Sequence, residues 1–190
     1  PSHVPDRVLR AIDHPTIDHR GPEFGELGRN VLAGMKRVFA TEANVVIYPA
    51  SGTGAWEAAL ANTLSPGDRV LMADPGYPCN RHFTAFCDAR AVTVPVDAAS
   101  GFQLTLELIE RHASPATRAV LIASPSNPTG TAIAPGELAR IHDWCTAKGI
   151  ALIVDEIYLA LTYDGTEQSA ACWDDVFVIN SFSKYFLMTG

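Results

Sequence analysis

Ile150-Ala151-Leu152-Ile153-Val154-Asp155-Glu156-Ile157-Tyr158 decides how the rest of the chain reads. A strand with one face in water alternates apolar and polar residues, whereas this run is apolar throughout until it meets two carboxylates. It therefore predicts a strand buried on both faces, as in the interior of a parallel sheet. Similar short runs lie on either side: Val45 to Tyr48, Arg69 to Met72, Ala91 to Val96, Ala119 to Ala123 and Val176 to Asn180. The segments between them carry helical spacing. In Glu23 to Ala40, Phe24, Leu27, Val31, Leu32, Met35, Val38 and Phe39 step by three and four. Thr53 to Leu64 is Ala-rich and stops at Ser65-Pro66-Gly67-Asp68. Pro135 to Lys148 has Pro in its first turn and Gly149 just past its end. Strands alternating with helices imply right-handed crossovers and a mostly parallel sheet, so the expected fold is a three-layer α/β/α domain. Residues 1–44 read as a leading segment and helix, and residues 45–190 as the domain proper.

Composition agrees with a packed core. Of 190 residues, 47% are hydrophobic and only 18% charged, far from the signature of disorder. The formal charge of −7, with no clustered Lys or Arg, argues against nucleic acid or an anionic membrane as partner. No apolar stretch is long enough to span a bilayer, and the first residues lack the basic and apolar regions of a signal peptide. Cys79, Cys87, Cys145 and Cys172 have no finger spacing, and His14 and His19 sit in a Pro-containing segment, so no metal site is expected. Free thiols fit a reducing cytoplasm.

In an open parallel sheet the binding crevice lies at the carboxyl ends of the strands. The loops there read Ser51-Gly52-Thr53-Gly54, then Asp74-Pro75-Gly76-Tyr77-Pro78, Ser126-Asn127-Pro128-Thr129-Gly130, Asp155-Glu156-Ile157-Tyr158 and Ser181-Phe182-Ser183-Lys184. Ser51-Gly52-Thr53-Gly54 marks a strand-to-helix turn whose free N–H groups and helix dipole favour an anion. It matches neither a Walker loop nor a dinucleotide fingerprint, and alone it also reads as an ordinary helix cap. Asp155 emerges from a buried strand, either as a cap or salt-bridge residue or as the counter-ion of a cationic ligand. Lys184 sits among hydroxyls and aromatics. It reads as a solvated surface amine or as a desolvated nucleophile towards a carbonyl. Asn127 alone suits a turn, and Tyr77 and Tyr158 alone suit packing. Together they meet the needs of pyridoxal 5′-phosphate: a lysine for a Schiff base, an acid for the ring nitrogen, donors for the phenolic oxygen, a stacking aromatic and a phosphate cradle.

On these residues the chain resembles the fold type I pyridoxal-phosphate aminotransferases. From Asp74 to Gly190 it is similar to the class I/II branch, chiefly through Ser126-Asn127-Pro128-Thr129-Gly130, Asp155-Glu156-Ile157-Tyr158 and Ser181-Phe182-Ser183-Lys184. Upstream, Pro1-Ser2-His3-Val4-Pro5, His19-Arg20-Gly21-Pro22-Glu23-Phe24 and Ser51 to Leu64 look more like the class V branch of alanine:glyoxylate and serine:pyruvate aminotransferases. The resemblance implies that Lys184 forms the internal aldimine and shuttles a proton, that Asp155 keeps the ring nitrogen protonated, and that Asn127 and Tyr158 hydrogen-bond the phenolic oxygen. It places Tyr77 as the stacking aromatic and Ser51, Gly52, Thr53, Ser181 and Ser183 at the phosphate. It also implies amino acid and 2-oxo acid substrates exchanged in a ping-pong cycle, and a homodimer.

Three departures qualify the resemblance. Lys184-Tyr185-Phe186-Leu187-Met188-Thr189-Gly190 stops short of the phosphate-binding Arg of class I relatives. The small carboxyl-terminal domain is missing, and so is the antiparallel strand that would lie between the first and sixth runs. A gap in the sheet is therefore expected there, and the residues read as one segment of a longer subunit. The same constellation also serves Cβ-eliminating lyases and non-catalytic effector-binding modules, and a fragment recombined from two branches is a further alternative.

Overall fold

The strands form where the apolar runs allow burial on two faces. A computed structural model describes residues 3–163, 165 and 168–188, so Pro1, Ser2, Thr189 and Gly190 of the motifs above lie outside the described residues. The strands are β1 (Arg69–Asp74), β2 (Arg90–Pro95), β3 (Thr117–Ala123), β4 (Ala151–Asp155) and β5 (Val176–Ile179). They make one wholly parallel sheet in the order β2-β1-β3-β4-β5. The helices are α1 (Asp6–Ile12), α2 (Pro22–Phe39), α3 (Gly52–Ala61), α4 (Cys79–Phe86), α5 (Leu106–His112) and α6 (Pro135–Lys148).

Successive residues of each inner strand serve opposite cores, as a two-residue period requires. Leu152 and Val154 join Leu71, Val120 and Ile122 on the face covered by Ile109 of α5 and by Leu138, Ile141 and Cys145 of α6. Ile153 points the other way, into Val70, Met72, Ala119 and Leu121 beneath Trp56, Ala59 and Leu60 of α3. The result is the expected three layers. α6 has Pro at its start and ends at Gly149, whose φ of 62° suits a residue without a Cβ. Ile153 is fully buried, so Ile153→Ala should lower unfolding free energy by about 2–5 kcal/mol, read by denaturant titration.

One expected strand does not form. Val45 to Tyr48 has irregular backbone, and Val46, Ile47 and Tyr48 are exposed. A β-branched run becomes a strand only when a neighbouring strand takes up its backbone N–H and C=O groups, and among the described residues none pairs with it. Val45 to Tyr48 and the β5 residues Val176 and Val178 line one cleft, together with Met35, Phe39, Trp173 and Phe182. The sheet therefore has five strands where six runs were read. α1 and α2 contribute no buried residue.

Candidate active site

Chain direction creates the crevice. From β1 the chain passes outward to β2, then crosses back to place β3 on the other side of β1, so the connections diverge between β1 and β3. Tyr77 follows β1 and Asn127 follows β3, one on each side of that point. Asp155 is the last residue of β4, Tyr158 lies three residues on, and Ser181, Ser183 and Lys184 follow β5. β1, β3, β4 and β5 are consecutive neighbours in the sheet, which explains why residues distant in sequence share one edge. The register carries this across: Ala123 pairs with Asp155, and Asp155 with Ile179. The Ser124 N–H donates to Asp155 O at 3.0 Å, and the Glu156 N–H to Ile179 O at 2.9 Å.

Asp155 is the most distinctive group. Burial lifts its carboxyl to about 6, against the lowering effect of the Ile157 N–H, which donates to Oδ1 at 3.0 Å. Among the described residues it forms no ion pair. A carboxylate taken out of water without a cation is costly to ionise, so the site suits a ligand that brings a positive charge.

The other groups gather in pairs. Lys184 Nζ lies 5.7 Å from the centroid of the Tyr158 ring. Tyr158 and Asn127 line one open pocket with Pro125, Pro128 and Tyr163. Asn127 and Tyr77 line a smaller one, together with Gly76, Asn80 and Ser126. The Tyr77 phenol is pushed above its ordinary value, chiefly by the neighbouring Cys79 thiol and then by burial and by the nearby Tyr158 and Asp155.

The glycine turn stands against the segment after β5. Ser51 precedes α3 in extended conformation, and the Gly54 N–H donates to Ser51 O at 2.9 Å. A Cβ at Gly52 would sit 3.7 Å from Ser181 Cβ, and one at Gly54 only 2.7 Å from Ala50 Cβ. Ser181 Oγ is 2.8 Å from Ser183 Oγ and accepts the Ser183 N–H at 3.2 Å. Ser51, Gly52 and Ser181 therefore converge at the first turn of α3, where the helix N-terminus makes a setting for an anion. Thr53, in the same first turn, is exposed and does not line the cleft shared by those three. Gly54→Ala should force the turn apart, costing about 1–3 kcal/mol of stability by thermal or denaturant unfolding.

Two buried polar residues that hold the edge together carry little or no sequence signal of that role. Glu156 is 1% exposed; burial raises its carboxyl above the usual range, while the Ala170 N–H and Ser169 Oγ donate to it at 2.6 and 2.7 Å. Its position immediately after Asp155 is the one hint in the sequence. Gln103 ties the two ends of the Asn127 loop, and nothing in its local sequence points to this.

Comparison with known proteins follows the same lines. The family description "Aminotransferase class I and II" matches residues 26–190. Valine–pyruvate aminotransferase of Mycobacterium tuberculosis is 40% identical over 152 residues, 78% of this chain and 39% of that protein. Arginine–pyruvate transaminase of Pseudomonas aeruginosa is 34% identical over 155 residues, 80% of this chain and 39% of that protein. The crystal structure of an aminotransferase from Mycobacterium tuberculosis superimposes with a TM-score of 0.73 at 35% identity, covering 97% of this chain and 51% of that one. The layered parallel sheet is thus that of the fold type I large domain. The chain belongs to the class I and II aminotransferase family, and it spans about half the length, or less, of the relatives named here. The match begins at residue 26 and takes in Ser51 to Leu64, so that stretch falls within the class I and II assignment despite its class V likeness.

Proposed function

We propose that this chain is the cofactor-carrying part of a pyridoxal 5′-phosphate-dependent aminotransferase that moves an amino group between an amino acid and a 2-oxo acid. The observation that carries the reading is Asp155, a partly buried carboxylate at the end of a buried strand, lifted to about 6 with no cationic partner among the described residues. When bound, pyridoxal phosphate supplies a carbonyl for Schiff-base exchange and a ring that takes up electron density.

The chain's own residues do the rest. Asp155 would hold the protonated ring nitrogen, and that ion pair would offset the cost of keeping its partly buried carboxylate charged. Lys184 would offer the amine that holds the cofactor covalently and, as a free amine, would carry a proton to or from the substrate carbon. Asn127 and Tyr158, which line one pocket, direct donors at the phenolic oxygen. Tyr77 would stack on the ring, and Ser51, Gly52, Ser181 and Ser183 would offer N–H and hydroxyl donors to the phosphate, joined by Thr53 from the first turn of α3 although it lies outside the cleft that Ser51, Gly52 and Ser181 share. Each relative named above is an aminotransferase, which favours amino transfer over Cβ elimination. The reading extends to a homodimer in the cytoplasm. Exposed Phe24, Leu27, Val31 and Leu32 on α2 supply an apolar face for a partner, and the four cysteines are free thiols. No described helix is long and apolar enough to cross a membrane.

The test is a half-reaction. The complete, cofactor-loaded protein is mixed with single amino acids and no acceptor, and its visible spectrum and released 2-oxo acid are recorded. One equivalent of 2-oxo acid per site with a lasting spectral change is the expected result. Continuous release with free ammonia would overturn it in favour of elimination.

A further inference from the structure

Gln103 lies between the turn at Ala98–Ser100 and α5, and it is 6% exposed. Its Nε2 donates to Ala123 O at 3.2 Å and to Thr131 O at 2.6 Å, with Thr131 Oγ1 at 3.4 Å. Ala123 is the last residue of β3, and Thr131 stands at the far end of the loop that carries Asn127. One buried amide therefore bridges the two ends of that loop from outside it. Within the loop, the Ser126 N–H donates to Thr131 O at 2.9 Å, and the Gly130 N–H donates to Ser126 O at 2.8 Å. The hydroxyls of Thr129 and Thr131 are 2.9 Å apart. These bonds close the loop on itself but do not fasten it to the layer beside β3. The Asn127 amide shows no side-chain hydrogen bond among the described residues, so the loop backbone is what can aim it, and that backbone is tied by Gln103 and by the Ile133 N–H donating to Ser124 Oγ at 3.0 Å. Gln103, Ser126 and Asn127 also line the same small cavity as Tyr77 and Asn80.

We propose that Gln103 is a positioning residue for Asn127, fixing the loop so that the Asn127 amide reaches the cofactor's ring oxygen. The proposal rests on the functional reading above. Two hydrogen bonds from a buried amide to backbone carbonyls are lost together when the side chain becomes apolar, and both carbonyls are left without that donor.

The experiment uses the complete, cofactor-loaded enzyme and a double-mutant cycle of Gln103→Leu and Asn127→Ala. Cofactor dissociation constant, the pH midpoint of the cofactor's visible absorbance, and the unfolding temperature of the cofactor-free protein are read for all four forms. Gln103→Leu should weaken cofactor binding on the order of ten-fold and move the pH midpoint in the same direction as Asn127→Ala. In the Asn127→Ala background it should change the dissociation constant by less than about two-fold and the pH midpoint by less than about 0.3 unit. Additive effects, or a lowered unfolding temperature with an unmoved pH midpoint, would overturn the proposal and leave Gln103 a structural residue. Should Gln103→Leu not fold, Gln103→Asn keeps the amide but withdraws it by one methylene, and the same cycle applies. Absence of any cofactor-dependent absorbance in the unaltered protein is a different result, and it would overturn the functional reading together with the proposal.

Discussion

Lys184→Ala should abolish turnover, by on the order of 10⁴-fold or more, because one change removes both the covalent anchor and the group that moves the proton. Cofactor should still bind, held by Asp155, by the Asn127 and Tyr158 donors and by the turn at Ser51 and Gly52, but it should no longer be fixed to protein by borohydride. The fold should be spared. Lys184 makes no ion pair among the described residues, and it lies 5.7 Å from the centroid of the Tyr158 ring. Turnover assays beside absorbance of the dialysed variant separate these outcomes. Retention of a reducible adduct would move the attachment to another residue.

Asp155→Ala should lower turnover by on the order of 10²-fold or more, since the ring nitrogen would lose the charge that holds its proton. The same carboxyl has a measurable effect without cofactor. Its pKa is raised from 3.8 to about 6 in the folded chain, so the folded state binds this proton more tightly than the unfolded state does. The cost of folding with Asp155 ionised is therefore absent below the unfolded value. It grows as pH rises from 3.8 to about 6, reaching roughly 3 kcal/mol. In the cofactor-free protein, Asp155→Asn should remove that pH dependence and raise stability at neutral pH. Unfolding midpoints measured at acid and neutral pH check the sign.

The fold was legible where a side-chain pattern reports burial directly. β4 could be read because five apolar residues in a row cannot alternate with water, and the structure sends Leu152 and Val154 to one core and Ile153 to the other. Val45 to Tyr48 has the same composition, yet strand formation needs a second strand, and no local pattern records whether one is present. α4 escaped notice because Asn80 and Thr84, its buried residues, are polar. The candidate site was legible because a parallel sheet delivers the ends of its strands to one edge, so reading the loops in order approximates reading the crevice. Gln103 and Glu156 act through hydrogen bonds that span from 13 to 28 residues. Such partners become visible only once the chain is folded.

The central claim is that Lys184 carries a pyridoxal group at the carboxyl edge of this sheet. Borohydride reduction of the cofactor-loaded protein, followed by peptide mapping, tests it most directly. The fixed pyridoxyl group should be found on the peptide spanning Ser181 to Met188, at Lys184. Attachment at Lys36, Lys148 or any other lysine, or no attachment at all, would contradict it.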